Sequence, residues 1–368
     1  MKILLLVILM LPGFCVSASA QGGDEIYKQV AGETGIYAIE DALPEQARDI
    51  SGALKVDGSY NTENALERLW SSLLESINRE IGENLKTASG LVAVAVLCAL
   101  SGSVCSGKAI KEYINIAGCC AAAISLLGGV DSIVSETVAS LNQLSDYSKA
   151  ALPVMFTAAA ACGAVSSASA KYAAVCLALD VLMSAAQKII IPLVYSYLAL
   201  ALAGSVFPNS LLSNVGRLTR WLANTVMTAL TIAFTAYIGM TGLISGSIDA
   251  AAIKTARTVI STSLPVVGGL ISDASAAVLS AAAVIKNSAG VFALIAVCAL
   301  CAGPFAILSV KMLVLKAAAA ASDMIPNGRL SGLISSVATA MGLLLGLLGC
   351  CGIMLFISIM AGIKAVNL

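Results

Sequence analysis

The sequence predicts an all-α polytopic membrane protein, and three observations carry this prediction. Of the 368 residues, 59% are hydrophobic and only 11% are charged, whereas a soluble domain carries about 25% charged residues. The mean hydropathy is +0.93, and the apolar residues form runs of about 20, long enough for a helix to cross the hydrocarbon core. The third observation is a repeated proline pattern, which predicts a tandem duplication.

Six prolines beyond residue 86 form two sets of three in matching contexts. These sets are Pro153, Pro192 and Pro208, then Pro265, Pro304 and Pro326. The first two prolines of each set are 39 residues apart (192 − 153 and 304 − 265), and the third is followed by Asn. Duplicated apolar units are common in transporters and channels. We therefore predict a first helix pair at 87–145, followed by parallel repeat units at 146–250 and 251–368.

The first 20 residues have the pattern of a secretion signal. Lys2 precedes an apolar run, and Ala18-Ser19-Ala20 fits the small-x-small cleavage rule. An uncleaved membrane helix is the alternative. After cleavage, residues 21–86 form a short extracytoplasmic segment of net charge −7 (6 bases minus 13 acids). This charge argues against nucleic acid as a partner.

Part of this acidic segment is predicted to be an amphipathic helix. Over residues 61–86 the apolar side chains recur at 3-4 spacing, and Glu80 belongs to the polar side. Such a helix serves either as a stalk that leads into the membrane or as a docking surface for an extracytoplasmic partner. The sequence leaves both roles open.

Eight further apolar stretches divide into six predicted spans and two predicted hairpins. The spans are 88–107, 113–130, 189–207, 219–246, 289–310 and 333–361. The hairpins, 150–187 and 258–285, each begin at a Leu-Pro-Val element and are either re-entrant or two short spans. With residue 86 outside, most Lys and Arg fall in the cytoplasm, as the positive-inside rule requires. This scheme places Lys311 in a cytoplasmic loop and Asp131–Lys149 in an extracytoplasmic loop.

The candidate functional residues lie in the two hairpins. They are Pro153, Asp180, Pro265, Gly268, Gly269 and Asp273. A carboxylate at membrane depth is costly unless it is paired or hydrated. Asp273 is therefore either part of a cation or proton site, next to glycines that allow close backbone approach, or the cap of the second hairpin helix. We expect Asp180 to pair with Lys188 or Lys171, or to face a cavity.

Several classes of chemistry are disfavoured by the sequence. The chain contains no histidine, which excludes His-based catalysis. It also has no Walker A pattern, so ATP hydrolysis would have to come from an ATPase partner. Cys298 and Cys301 have C-x-x-C spacing without a second pair, which favours small buried hydrophobes over a metal or redox site. We predict no enzyme, and no catalytic, cofactor-binding or metal-binding residues.

Two stretches of unit 2 are distinctive. They are Ser-Leu-Pro-Val-Val-Gly-Gly-Leu-Ile-Ser-Asp-Ala-Ser at 263–275 and Ile-Lys-Asn-Ser-Ala-Gly at 285–290. Together with Ala-Leu-Pro-Val-Met at 151–155 and Pro-Asn-Gly at 326–328, they resemble the stage III sporulation protein AE family of endospore-forming bacteria. The resemblance extends over essentially the whole chain, because the signal peptide and acidic N-terminal segment also match the family's layout.

The resemblance implies a role in sporulation. Family members lie in the mother-cell membrane around the engulfed forespore. There they join other membrane proteins in a channel or secretion-type complex, which connects to a forespore membrane protein across the intermembrane space. The residues themselves leave an alternative, a solute permease with a substrate or ion site where the two hairpin units meet.

Overall fold

The computed structural model describes residues 39, 41–43, 62–105, 107–161, 168–207, 210–240, 268–324 and 328–364. These residues form six long helices: α1 (Thr62–Val104), α2 (Lys108–Ala161), α3 (Ala168–Val206), α4 (Ser210–Met240), α5 (Gly268–Asp323) and α6 (Gly328–Lys364). No strand occurs within these ranges. The predicted signal peptide and Pro265 lie outside them.

In the described part of the chain, all six helices are long and apolar enough to cross a membrane, in agreement with the six predicted spans. The helices are longer than the predicted spans. With 54 residues in α2 and 56 in α5, each rises about 80 Å, against a hydrocarbon core of about 30 Å. These two helices therefore extend well beyond the bilayer.

The predicted hairpins are not separate elements. In the first, residues 150–161 complete α2 and residues 168–187 begin α3; in the second, residues 268–285 begin α5. Pro153 lies inside α2 rather than at the start of a helix. The surrounding alanine-rich sequence favours helix on both sides of the proline, which removes one backbone hydrogen bond without ending the helix.

Two other local predictions were wrong because a helix continues where a loop was expected. Asp131–Lys149 was expected to be an extracytoplasmic loop, but it is a continuous part of α2. Lys311 was expected in a cytoplasmic loop, but it lies inside α5, which ends only at Asp323. Neither Asp131–Lys149 nor the stretch from Lys311 to Asp323 contains a proline or glycine that would stop a helix.

The centre of the bundle is the antiparallel pair α5 and α6. α6 packs against α2, α3, α4 and α5, whereas α5 packs against α1, α2 and α6. Small residues allow the close approach of the two central helices. A Cβ on Gly352 of α6 would lie 3.1 Å from the Cys301 sulfur of α5, and one on Gly342 would lie 3.3 Å from the Met312 sulfur. This is the packing mode of membrane helices, in which van der Waals contact replaces hydrophobic burial.

Helices α4 and α6 run in the same direction. Thr231 of α4 contacts Cys350 of α6 through Oγ1 and Sγ at 2.8 Å, and Met227 lies beside Gly346. The two contacts have the same sequence offset (350 − 231 and 346 − 227), which requires parallel helices. The links α3–α4 and α5–α6 therefore lie at one end of the bundle. The contact between Arg329 at the start of α6 and Glu112 near the start of α2 places the α1–α2 link at the same end.

We call this end the basic end, because Lys and Arg outnumber acids in and near its three links. The bases are Lys108, Lys111, Arg217, Arg220, Lys316 and Arg329, and the acids are Glu112 and Asp323. Arg329 at the start of α6 donates from Nη1 to Glu112 Oε1 at the start of α2, at 2.8 Å. This ion pair fastens two of the links together.

Candidate functional site

The most buried ion pair described connects α1 with α5. Lys311 Nζ lies 3.8 Å from Glu80 Oε2, and the two side chains are only 18% and 11% exposed. Asn84 Nδ2 donates to the same carboxylate oxygen at 3.0 Å and to the Glu80 carbonyl at 2.7 Å. Both charged residues lie within candidate membrane spans. A charge there is costly without a partner, so intramembrane ion pairs commonly mark function or helix registration.

Sequence reasoning missed this pair. It placed Glu80 on the polar side of an amphipathic helix and Lys311 beyond the end of a span. One signal was present, because Lys311 interrupts an apolar run that contains no helix-breaking residue after Pro304. A lysine in such a position requires a carboxylate from another helix. The partner lies 231 residues away in sequence (311 − 80), so no local pattern identifies it.

Asp180 forms an ion pair between α2 and α3. Its Oδ1 lies 3.2 Å from Lys149 Nζ, and the side chains are 44% and 58% exposed. Ser145 Oγ donates to the same oxygen at 3.5 Å, at the long limit for a hydrogen bond. Asp180 is thus paired as predicted, but with Lys149 and not with Lys188. The side chain of Lys171, the other predicted partner, lies outside the described part of the chain. Solvent and lipid headgroups can reach the Asp180–Lys149 pair, unlike the Glu80–Lys311 pair.

The same α2–α3 contact contains a second polar bridge. Tyr195 Oη donates to Asp131 Oδ1 at 3.0 Å. The two bridges hold α3 against α2 near residues that were expected to form a loop. Pro153 lies one helical turn beyond Lys149 and is exposed, between the buried Leu152 and Val154. The structure therefore brings the candidates Pro153 and Asp180 to the same region of the α2–α3 contact.

The unit 2 candidates lie around the start of α5. This helix begins at Gly268, so Asp273 lies in its second turn, and the interpretation of Asp273 as the helix cap is wrong. Gly268 and Gly269 form the first turn. The side chains of residues 268–288 lie outside the described part of the chain, and a cation or proton site at Asp273 stays a prediction.

No group of three or more His, Cys, Asp or Glu that could hold a metal ion occurs among the described side chains. Cys298 and Cys301 are free thiols in α5, and Cys301 packs against Gly352 of α6. Cys350 accepts or donates a hydrogen bond with Thr231. The cysteines described in α5 and α6 therefore take part in helix packing.

Comparison with known proteins identifies one family. The family model described as Stage III sporulation protein AE matches residues 54–365. The chain is also similar to the stage III sporulation protein AE of Bacillus subtilis (strain 168), with 19% identity over 330 residues. That alignment covers 89% of this chain and 82% of the Bacillus protein. No solved structure matches the chain significantly.

Proposed function

This chain belongs to the stage III sporulation protein AE family, and from that premise we propose that it is an integral membrane subunit of a sporulation channel or secretion-type complex. The complex would connect the mother cell with the forespore and would be needed for spore development. Its other members would be membrane proteins of the same complex and, indirectly, a forespore membrane protein. An ATPase partner would supply energy if transport is active, because this chain has no Walker A pattern.

The observation that best supports the complex-subunit proposal is the unequal burial of the six helices. Within an 18-residue apolar stretch of each helix, 56% of residues are buried in α5 and 67% in α6, against 17% in α1 and 22% in α4. A central pair surrounded by weakly covered outer helices leaves large apolar faces for lipid or for other membrane proteins. Trp221 and Ile232 on α4, which are 60% and 62% exposed, belong to such a face. This arrangement suits a subunit that assembles laterally with partners.

The proposal includes an orientation in the mother-cell membrane. The basic end lies in the cytoplasm according to the positive-inside rule. Residues 21–86 then lie on the outer side, with residues 77–86 entering the membrane as the start of the candidate span of α1, which agrees with a signal peptide at 1–20. The α2–α3 helical extension and the N-terminal half of α5 would project on the same outer side. They would provide rigid surfaces for partners in the intermembrane space.

A solute permease is the second candidate, and the Glu80–Lys311 pair favours it. Ionisable residues inside a membrane protein commonly line ion or substrate pathways. In a permease, the Glu80–Lys311 pair would belong to the transport pathway. A substrate or ion site would lie where units 146–250 and 251–368 meet. In the complex-subunit reading the pair only fixes the register between α1 and α5.

Affinity purification of the tagged full-length chain from sporulating cells tests the first proposal. We expect several other membrane proteins to co-purify with the chain, and none of them with an unrelated tagged membrane protein. The proposal fails if the chain purifies alone and moves a solute when it is reconstituted in vesicles.

Neutralising the buried pair separates the two candidates. The double variant Glu80→Gln, Lys311→Met removes both charges together and leaves neither unpaired. A complex subunit should retain its partners and support spore formation with this change, whereas a permease that uses the pair should lose transport. The matched control is Lys149→Met, Asp180→Asn, which removes the exposed pair between α2 and α3.

A further inference from the structure

A cavity of about 530 Å³ lies at the basic end, between the last turns of α3 and the first turns of α4 and α6. Two arginines and several serines provide its polar lining. Chief among these residues are Arg217, Arg329, Ser205, Ser210, Ser213 and Ser336. Cavities of roughly 300–1,000 Å³ are typical of small-molecule sites. The volume therefore suits a ligand the size of a lipid headgroup or a phosphorylated metabolite.

The charge around the cavity is positive. Arg329 gives one hydrogen bond to Glu112, whose carboxylate offsets one of the two guanidinium groups. Arg217 donates to the neutral side-chain amide of Asn214. No carboxylate lines the cavity among the described residues. Each guanidinium has five N–H donors, so one such bond apiece leaves donors for a ligand.

The backbone adds to this field. Ser210, the first residue of α4, lines the cavity, as does Arg329, the second residue of α6. The amino end of a helix carries a partial positive charge and backbone N–H groups without intrahelical partners. Two such ends, two guanidinium groups and the hydroxyls of Ser210 and Ser213 border one space. The hydroxyls of Ser205 and Ser336 donate to backbone carbonyls of their own helices. The donors that border the space match the several acceptor oxygens of a phosphate better than the two oxygens of a carboxylate.

We propose that this cavity binds a phosphate-bearing anion. The ligand is either the headgroup of an anionic phospholipid or a free phosphate compound. Leu200, Leu212 and Leu333 provide the apolar part of the lining, which suits the glycerol and first acyl carbons of a lipid. The cavity also lies at the ends of the helices, where headgroups are found. Binding would hold three helices together and does not depend on the complex-subunit proposal.

Native mass spectrometry of the full-length chain tests the site. The chain is released from nanodiscs of phosphatidylcholine containing phosphatidylglycerol, and retained lipids are counted. In parallel, inorganic phosphate is titrated in phosphatidylcholine nanodiscs while the melting temperature is followed. Retention of one phosphatidylglycerol per chain supports a lipid headgroup, and a saturable rise in melting temperature supports a free anion. Failure of both readouts in the unmodified chain overturns the proposal.

Three variants make the test specific to the cavity. Arg217→Gln should weaken binding about tenfold, because a charge-assisted hydrogen bond is lost. Arg220→Gln removes the same charge from the same helix but from a residue outside the lining, and should leave binding unchanged. Glu112→Gln should tighten binding by releasing Arg329. Equal effects of Arg217→Gln and Arg220→Gln would contradict a binding site in this cavity. Weaker binding in Glu112→Gln, with an unchanged melting temperature of the ligand-free chain, would contradict it as well.

Discussion

The helix pairs α3–α4 and α5–α6 have the same proline pattern but different positions in the bundle. Pro192 lies inside α3 and Pro304 inside α5, and both links contain a Pro-Asn pair in the sequence. However, within an 18-residue apolar stretch of each helix only 28% of residues are buried in α3 and 22% in α4, against 56% in α5 and 67% in α6. The two proline sets thus share the local order of helix, link and helix, and the duplication stays a prediction. The shared proline pattern does not determine which pair forms the centre.

The pattern of burial on α4 explains the difference. Its buried residues are Gly216, Ala223, Met227, Phe234 and Ile238. They recur every seven or four residues and form one narrow seam, as in a coiled coil. The rest of α4 remains uncovered because lipid solvates apolar side chains as well as a protein interior does. α6 contacts four helices instead of mainly two, so most of its surface is buried.

The largest expected effect comes from breaking the ion pair of the central helix. Lys311→Met should lower the free energy of unfolding by about 3–5 kcal/mol, because it leaves the Glu80 carboxylate buried without its cation. Denaturant unfolding of the purified chain in detergent measures the loss. The double variant Glu80→Gln, Lys311→Met should recover most of it. An equal loss in Lys149→Met, which breaks the exposed pair, would contradict the distinction between the two regions.

A core leucine should show the same contrast with a smaller effect. Leu344 of α6 is fully buried, and Leu344→Ala should cost about 2–5 kcal/mol through lost packing and the cavity left behind. Leu218 of α4 is 59% exposed, so Leu218→Ala should change stability by less than about 0.5 kcal/mol. Thermal unfolding in nanodiscs compares them. Similar losses would mean that the outer face of α4 is packed as tightly as the core of α6.

The sequence predicted the existence of the six helices well, because each has an apolar run that no soluble fold explains. It predicted their ends poorly. Residues 150–161 and 168–187 are rich in alanine and other small residues, and such sequence favours helix equally in a re-entrant hairpin and in the extension of a span. The choice between a re-entrant hairpin and an extended span depends on whether the helix continues past the charged residues that precede the stretch. Composition does not reveal this.

The charged contacts show a second limit. The sequence predicted an ion pair for Asp180 from the cost of a bare carboxylate, and this physical argument was correct. It named Lys188 and Lys171 because they are near in sequence, whereas the observed partner Lys149 comes from the neighbouring helix. The Glu80–Lys311 pair was missed altogether. Energetics predicts that a charge within the bundle has a partner. The identity of that partner depends on how the helices pack.

The smallest expected effect on stability concerns Asp180 itself. Asp180→Asn should change the free energy of unfolding by only about 0–1 kcal/mol, because both side chains of its ion pair are substantially exposed. Asp146→Asn is the matched control, since Asp146 lies 3.9 Å from the same Lys149 and is 79% exposed. Spore formation should be retained in both variants if the outer pair α3–α4 serves assembly alone. Loss of spore formation in Asp180→Asn only, with unchanged unfolding and unchanged partners, would instead assign a transport role to the carboxylate of α3, and the functional centre would then lie outside the buried pair α5–α6.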